Sequence, residues 1–285
     1  MLFHLKRGTT AVLMCLLVGC GDATAERSFK TPATKRAYTV LTPNKTGGTP
    51  NAILFVLHAY GAAPLDMVKQ FALEKRGVEA KGWAMVVPEG VRDDRGKRFW
   101  NASEACCGDI AKRPNDLVYL REVLSDIRRR LLLQTERVFI LGMDNGAFMA
   151  YRWACHASGE IRGVVAISGA GPGPSDPACT PPRSVRILHV HGDQDQVVNY
   201  YGRHERDDGH PSARETVKRW IRINKLKGPP TITRDRSVLL GKIQKERWGN
   251  GEGAVSFWTV FGGGHHMKWL KLEVPRFLSF LDTGT

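Results

Sequence analysis

The segment that most limits how this chain can fold runs from Val138 to His156. A four-residue apolar strand, Val138-Phe139-Ile140-Leu141, leads into Gly142-Met143-Asp144-Asn145-Gly146, and a helix-forming stretch from Ala147 to His156 follows. A strand that becomes a helix within five residues must bend sharply. Glycines on both sides of the bend supply the backbone freedom, and the side chain between them is thrust outward at the strand's carboxyl end. Such a bend belongs to a sheet with helices packed on its faces.

The rest of the chain repeats that grammar. Residues 52–57 (AILFVL) form a continuous apolar run suited to a strand buried on both faces, and residues 83–87 form another that Pro88 stops. Between Asp116 and Leu133 the residues Leu117, Val118, Leu120, Leu124, Ile127 and Leu131 recur at helical spacing, with Asp116 as the expected cap. Strands are expected over 164–167, 185–190 and 255–260, and helices over 212–224 and 274–281. Residues 26 to about 50 read as leader and turn, with an edge strand at 38–41. Strand and helix alternate without an internal repeat, which predicts one α/β domain over 26–285 with a mostly parallel sheet covered on both faces.

The first 25 residues read as an export leader. Lys6 and Arg7 precede an apolar run from Ala11 to Val18 that is too short to span a bilayer as a mature helix. Two endings compete. Leu17-Val18-Gly19-Cys20 is a lipobox in which Cys20 becomes the lipidated first residue, and Ala23-Thr24-Ala25 is a signal-peptidase site. Either leaves the domain soluble, secreted, periplasmic or tethered at a bacterial envelope. Downstream, only Cys106, Cys107, Cys155 and Cys179 remain. A bond between neighbours in sequence needs strained geometry, so two cross-bridges are expected in an oxidising compartment. Cys106-Cys107 lacks the two-residue gap usual in structural zinc pairs, so no metal or other cofactor is expected. The formal charge of +14 becomes +12 once Lys6 and Arg7 leave. No nucleic-acid module accompanies it, and Arg128-Arg129-Arg130 reads as the solvated face of a helix.

Four features fall at the carboxyl ends of strands, where open α/β sheets collect their binding groups. Asp144 sits in the frame of a nucleophile elbow, with the Asn145 amide beside it. His58-Ala59-Tyr60-Gly61 follows the first central strand, so an amide of Ala59 or Tyr60 can complete an oxyanion hole, while His58 is assigned a structural role. Asp195, preferred over Asp193, follows strand 185–190. His265, carried by Gly262-Gly263-Gly264, follows strand 255–260, with His266 exposed beside it. Nucleophile, acid, histidine is the chain order of the α/β-hydrolase fold.

From about residue 50 to 282 the chain resembles the polyhydroxybutyrate depolymerase and feruloyl esterase family of secreted esterases. The likeness rests on Leu57-His58-Ala59-Tyr60-Gly61, Trp100-Asn101, Cys106-Cys107-Gly108, the elbow with Tyr151-Arg152 and Cys155, His191-Gly192 with Asp195 and Val198, and Gly262-Gly263-Gly264-His265. The resemblance implies Asp195 and His265 as triad acid and base, and a bridge from Cys106 or Cys107 to Cys155. It implies a small ester, a hydroxyalkanoate oligomer or a feruloylated saccharide as ligand. Three positions depart from the family. Its elbow is Gly-Met-Ser-Asn-Gly, so Asp144 replaces the serine. Ala59 stands where glycine is usual, and His266-Met267-Lys268-Trp269 replaces the usual Thr-Trp-Pro continuation.

An aspartate at the elbow has no hydroxyl to give to a histidine. Its attack on an ester would produce a mixed anhydride while expelling a more basic alkoxide. Two other readings follow: a catalytically degenerate relative that binds ligand, or an Asp-nucleophile hydrolase like the haloalkane dehalogenases and epoxide hydrolases. Against the latter, Asn145 stands where the dehalogenases carry a halide-binding tryptophan, and no long insertion suits a cap. Ser168 follows a different strand without the elbow frame and makes a poor substitute nucleophile.

Overall fold

A computed structural model of the chain describes residues 24–43, 49–107, 114–156, 159–173, 176–203, 209–237 and 241–285; most of the expected leader, Cys20 and Gly108 lie outside them. The strands are β1 (Thr24–Lys30), β2 (Ala37–Pro43), β3 (Ile53–Leu57), β4 (Ala84–Pro88), β5 (Val91–Arg92), β6 (Arg98–Phe99), β7 (Val138–Met143), β8 (Gly163–Ile167), β9 (Arg186–Gly192), β10 (Thr231–Ser237), β11 (Gly241–Trp248) and β12 (Val255–Phe261). The helices are α1 (Asp66–Gln70), α2 (Asp116–Arg130), α3 (Asn145–His156), α4 (Ala213–Ile223) and α5 (Val274–Thr283). Ten strands make one sheet in the order β1-β2-β4-β3-β7-β8-β9-β12-β11-β10. The run from β4 to β12 is parallel, and the antiparallel pairs lie at the two edges. This is the α/β-hydrolase fold.

The central strands are apolar throughout because both their faces are covered. On one face Tyr119, Leu120, Phe148, Trp153 and Trp220 from α2, α3 and α4 pack on alternate residues such as Phe55, Ile140 and Ile187. On the other, Met67, Val78, Phe277 and Leu278 pack on Leu54, Leu141 and Leu188. The period-two split of each strand between the two clusters is the pleat itself.

Four elements depart from the sequence expectation. The sequence offers β1 only as leader, yet it pairs with β2 over its whole length, from Thr24 opposite Pro43 to Lys30 opposite Ala37. β10 and β11 form a hairpin that extends the sheet beyond β12. Their sequences, TITRDRS and GKIQKERW, are too polar to announce themselves, because the outer strands of a sheet, the edge β10 above all, keep one face or rim in water. The cap of α2 is Asn115, whose side chain accepts from the Val118 amide, rather than Asp116. Asp116 is instead buried, taking the Arg36 guanidinium and the amide of Asn101.

Asp126, also buried on α2, receives the Tyr38 hydroxyl and the guanidinium groups of Arg129 and Arg130. The Arg128–Arg130 run is therefore tied partly to the helix's own carboxylate. Tyr38→Phe leaves Asp126 with its two arginines, so a modest loss of about 1 kcal/mol is expected in urea denaturation. A loss above about 3 kcal/mol would show that the arginines do not hold the charge.

Candidate active site

The bend after β7 is built as its sequence requires. Asp144 has φ 53°, in the left-handed region that ordinary residues avoid. Its amide bonds the Ile167 carbonyl of β8, and its own carbonyl accepts from the amides of Ala147 and Phe148, which begins α3. A Cβ at Gly142 would lie 2.3 Å from the Gly146 carbonyl oxygen, and one at Gly146 would lie 2.1 Å from that of Leu57. Both glycines are needed for β3, the bend and α3 to meet this closely.

β7, β9 and β12 run parallel, so their carboxyl ends share one rim of the sheet, and each contributes one group there. His265 Nδ1 lies 2.9 Å from Asp195 Oδ2, and His265 Nε2 lies 3.5 Å from Asp144 Oδ1. The three residues predicted from the sequence thus form one constellation. Asp195 is fixed further, since its Oδ1 accepts from the amides of Val197 and Val198 at 2.9 and 3.0 Å. Asp193 serves the neighbouring turn by accepting from the Gly262 amide at 2.6 Å. His266 is exposed, its ring edge-on to His265.

The charges follow from this geometry. Burial by itself would lower the His265 pKa. Hydrogen bonding and the charges of Asp144 and Asp195 outweigh burial and raise it to about 9. At neutral pH the ring is an imidazolium held between two carboxylates. Burial would raise Asp195, but His191, His265 and their hydrogen bonds hold it well below the usual carboxylate range.

The oxyanion-hole residues have separate fates. The Tyr60 amide donates to Asp144 Oδ2 at 3.0 Å, and the Tyr60 hydroxyl donates to Asp93, which pins the loop. The Ala59 carbonyl accepts from His58 Nδ1, and the Gly90 amide donates to His58 Nε2. Burial brings His58 down to about 4, so it is a neutral strut between loops, as expected. Asn145 is fully buried. Its side-chain oxygen accepts from the Trp100 amide at 2.6 Å and its amide group donates to the Trp100 carbonyl at 2.9 Å, which anchors the strap after β6 to the elbow.

Two findings were not legible beforehand. Ser168 has the same backbone twist as Asp144, with φ 49°, but its hydroxyl donates to the His265 carbonyl at 3.2 Å. It steadies the histidine loop and does not face the site as a nucleophile. The cysteines pair as Cys106–Cys107 and Cys155–Cys179, which corrects both the expectation of two cross-bridges and the implied bridge to Cys155. The segment carrying Cys179 brings its Cα within 4.7 Å of Cys155 at the end of α3. A left-handed backbone at Cys107, φ 64°, lets the adjacent sulfurs meet. Among the described residues no group of three or more His, Cys, Asp or Glu could hold a metal ion, and no helix is long and apolar enough to cross a membrane.

Comparison with known proteins agrees with this architecture. The family model described as Phospholipase/Carboxylesterase matches residues 115–219. Feruloyl esterase D of Neurospora crassa is 25% identical over 268 residues, covering 87% of this chain and 81% of that protein. Feruloyl esterase B of Piromyces equi is 26% identical over 181 residues, which is 58% of this chain and 31% of that protein. Among solved structures, an acetyl xylan esterase from Aspergillus awamori superposes with a TM-score of 0.65 at 13% identity, covering 90% of this chain and 99% of the other. The chain is thus similar in sequence to a carboxylesterase family model and to feruloyl esterases, and it shares its fold with an acetyl xylan esterase.

Proposed function

We propose that this is a carboxylic ester hydrolase site arrested by its own residue 144. It binds small esters of the feruloyl or hydroxyalkanoate kind and turns them over slowly at neutral pH. One observation carries this reading: Asp144 Oδ2 occupies the Tyr60 amide, the donor that a tetrahedral oxyanion would need. With no hydroxyl at the elbow and His265 protonated, neither a nucleophile nor a general base stands ready. The test is calorimetric titration with methyl ferulate and with a 3-hydroxybutyrate oligomer beside a turnover assay at pH 7. Binding with little turnover supports the proposal. Turnover near the usual enzymatic range of about 1–10³ s⁻¹ would overturn it.

The same contact favours a second reading, attack on an sp³ carbon. With Oδ2 tied to the Tyr60 amide, Oδ1, which lies 3.5 Å from His265 Nε2, is the oxygen left to attack. Its attack on an alkyl halide forms a carbon–oxygen bond as the halide departs with the electron pair. The resulting ester keeps its carbonyl oxygen at the Tyr60 amide. Esterification also removes one of the two charges holding the imidazolium, so His265 can lose its proton and then take one from an attacking water. Collapse of the adduct expels the alcohol, protonated by His265, and restores Asp144. Peptide mass mapping after incubation with 1-bromohexane should show alkylated Asp144. An unmodified Asp144, with no alcohol released, would eliminate this chemistry.

We also propose export and lipidation at Cys20. Two disulfides support an oxidising compartment. Cleavage after Ala25 would strip Thr24 and Ala25 from the β1–β2 ladder, whereas processing at Cys20 leaves it whole. Radiolabelled palmitate should enter the wild-type chain and not Cys20→Ala; equal labelling would refute it.

A further inference from the structure

We propose that Tyr151, His189 and His191 are positioning residues: a one-way hydrogen-bond chain that ends on Asp195 and sets the strength of its bond to His265. The three side chains are essentially inaccessible to solvent, and no step described above uses them. His189 and His191 alternate on β9, so both project from the same face of the sheet, toward α3. The Tyr151 hydroxyl lies 2.7 Å from His189 Nδ1, and His189 Nε2 lies 3.1 Å from His191 Nδ1. His191 Nε2 lies 2.9 Å from the Val198 carbonyl and 3.3 Å from Asp195 Oδ2, the same oxygen that meets His265 Nδ1.

The direction of the chain follows from what each end can do. A carbonyl and a carboxylate can only accept, so His191 Nε2 carries a proton. At the other end the Tyr151 hydroxyl has His189 Nδ1 as its hydrogen-bond partner among the described residues and donates to it, which puts the single proton of His189 on Nε2, facing His191 Nδ1. His191 Nδ1 accepts in turn. Burial and the neighbouring His191 hold His189 well below the ordinary histidine range, so it contributes one N–H only. Every polar atom of the relay is satisfied in this arrangement alone, and bonds aligned in series strengthen one another, by about 10–30% each. Asp195 Oδ2 therefore accepts from His265 Nδ1 and also faces the His191 Nε2–H, which it shares with the Val198 carbonyl, while Oδ1 is held by the two amides.

The titratable and charged groups around this relay are few. At the site end they are Asp144, His265 and His266. Tyr200 meets the His191 ring edge-on. Arg214, paired with Glu246, lies over Phe257, which packs on His189. Of these, only His265 bonds Asp195 directly.

Removing the His191 donor leaves Asp195 in place on its amides but concentrates charge on Oδ2, which binds the imidazolium more tightly. The test is an NMR titration of the His265 ring in the full-length chain. His191→Phe should raise its pKa by about 0.5–1 unit, the equivalent of losing part of one charge-assisted hydrogen bond. His191→Gln, whose amide can donate to the same oxygen, should restore the wild-type value. Tyr151→Phe should move it the same way by less. If His191→Phe does not fold, Tyr151→Phe decides. A His265 titration unchanged in a folded His191→Phe, or in Tyr151→Phe alone, would reduce the relay to core packing and overturn the proposal. The readout needs no turnover, so a site that binds no ester and gains nothing from Asp144→Ser would count against the ester-hydrolase reading and leave this test intact.

Discussion

Asp144→Ser should raise hydrolysis of p-nitrophenyl acetate at pH 7.5 by about 10²-fold or more over the wild-type chain. Three obstacles fall together. The Tyr60 amide loses Oδ2 and is free for the substrate's oxyanion, and a donor of this kind is typically worth about 10²–10³ in rate. A hydroxyl replaces a carboxylate beside His265 Nε2, within 3.5 Å of where Oδ1 stood. His265 loses one of the two charges that hold it protonated, so it can act as a base at neutral pH. Asp144→Asn separates these effects, because it removes the charge without adding a nucleophile and should gain little. A folded Asp144→Ser chain with no gain would mean that substrate does not reach the rim in a productive pose, and the ester-hydrolase proposal would fail.

The second large effect is on stability. His265 has a folded-state pKa of about 9 against an ordinary value near 6.5. A group raised on folding stabilises fully below its unfolded pKa, and that contribution is lost as pH rises through the folded one. Between pH 6 and pH 9.5 the wild-type chain should therefore lose on the order of 3 kcal/mol from this residue. Urea denaturation at several pH values measures the loss, with Asp144→Asn as the reference that removes one carboxylate partner. Parallel curves for the two proteins would show that Asp144 does not hold the imidazolium. On the acid side the sign reverses: Asp195 is depressed on folding, so its contribution is present above about pH 4 and fades only as pH falls well below that.

The order of strands and helices and the three rim residues were legible because each rests on a local signal. Buried parallel strands must be apolar on both faces, so residues 52–57, 138–141 and 164–167 stand out. The glycines around Asp144 and before His265 mark turns that other residues cannot make. β1, β10 and β11 gave no such signal, because strands at or next to the sheet's edges remain partly solvated and carry charge. His189 and His191 did leave a trace, two histidines at alternate positions in a strand that is apolar beyond Arg186, but nothing local says what they face.

Residue type and spacing within short segments were enough for the doubly covered sheet, the bend at 144 and the aspartate at its apex. Only the tertiary structure decided which oxygen of Asp144 fills the Tyr60 amide, which sulfurs pair, and that Asp195 serves two histidines. The longest of those contacts join segments 84 and 70 residues apart, Tyr60 with Asp144 and Asp195 with His265. Close packing of side chains from different strands and loops sets them, and spacing along the chain carries no record of it.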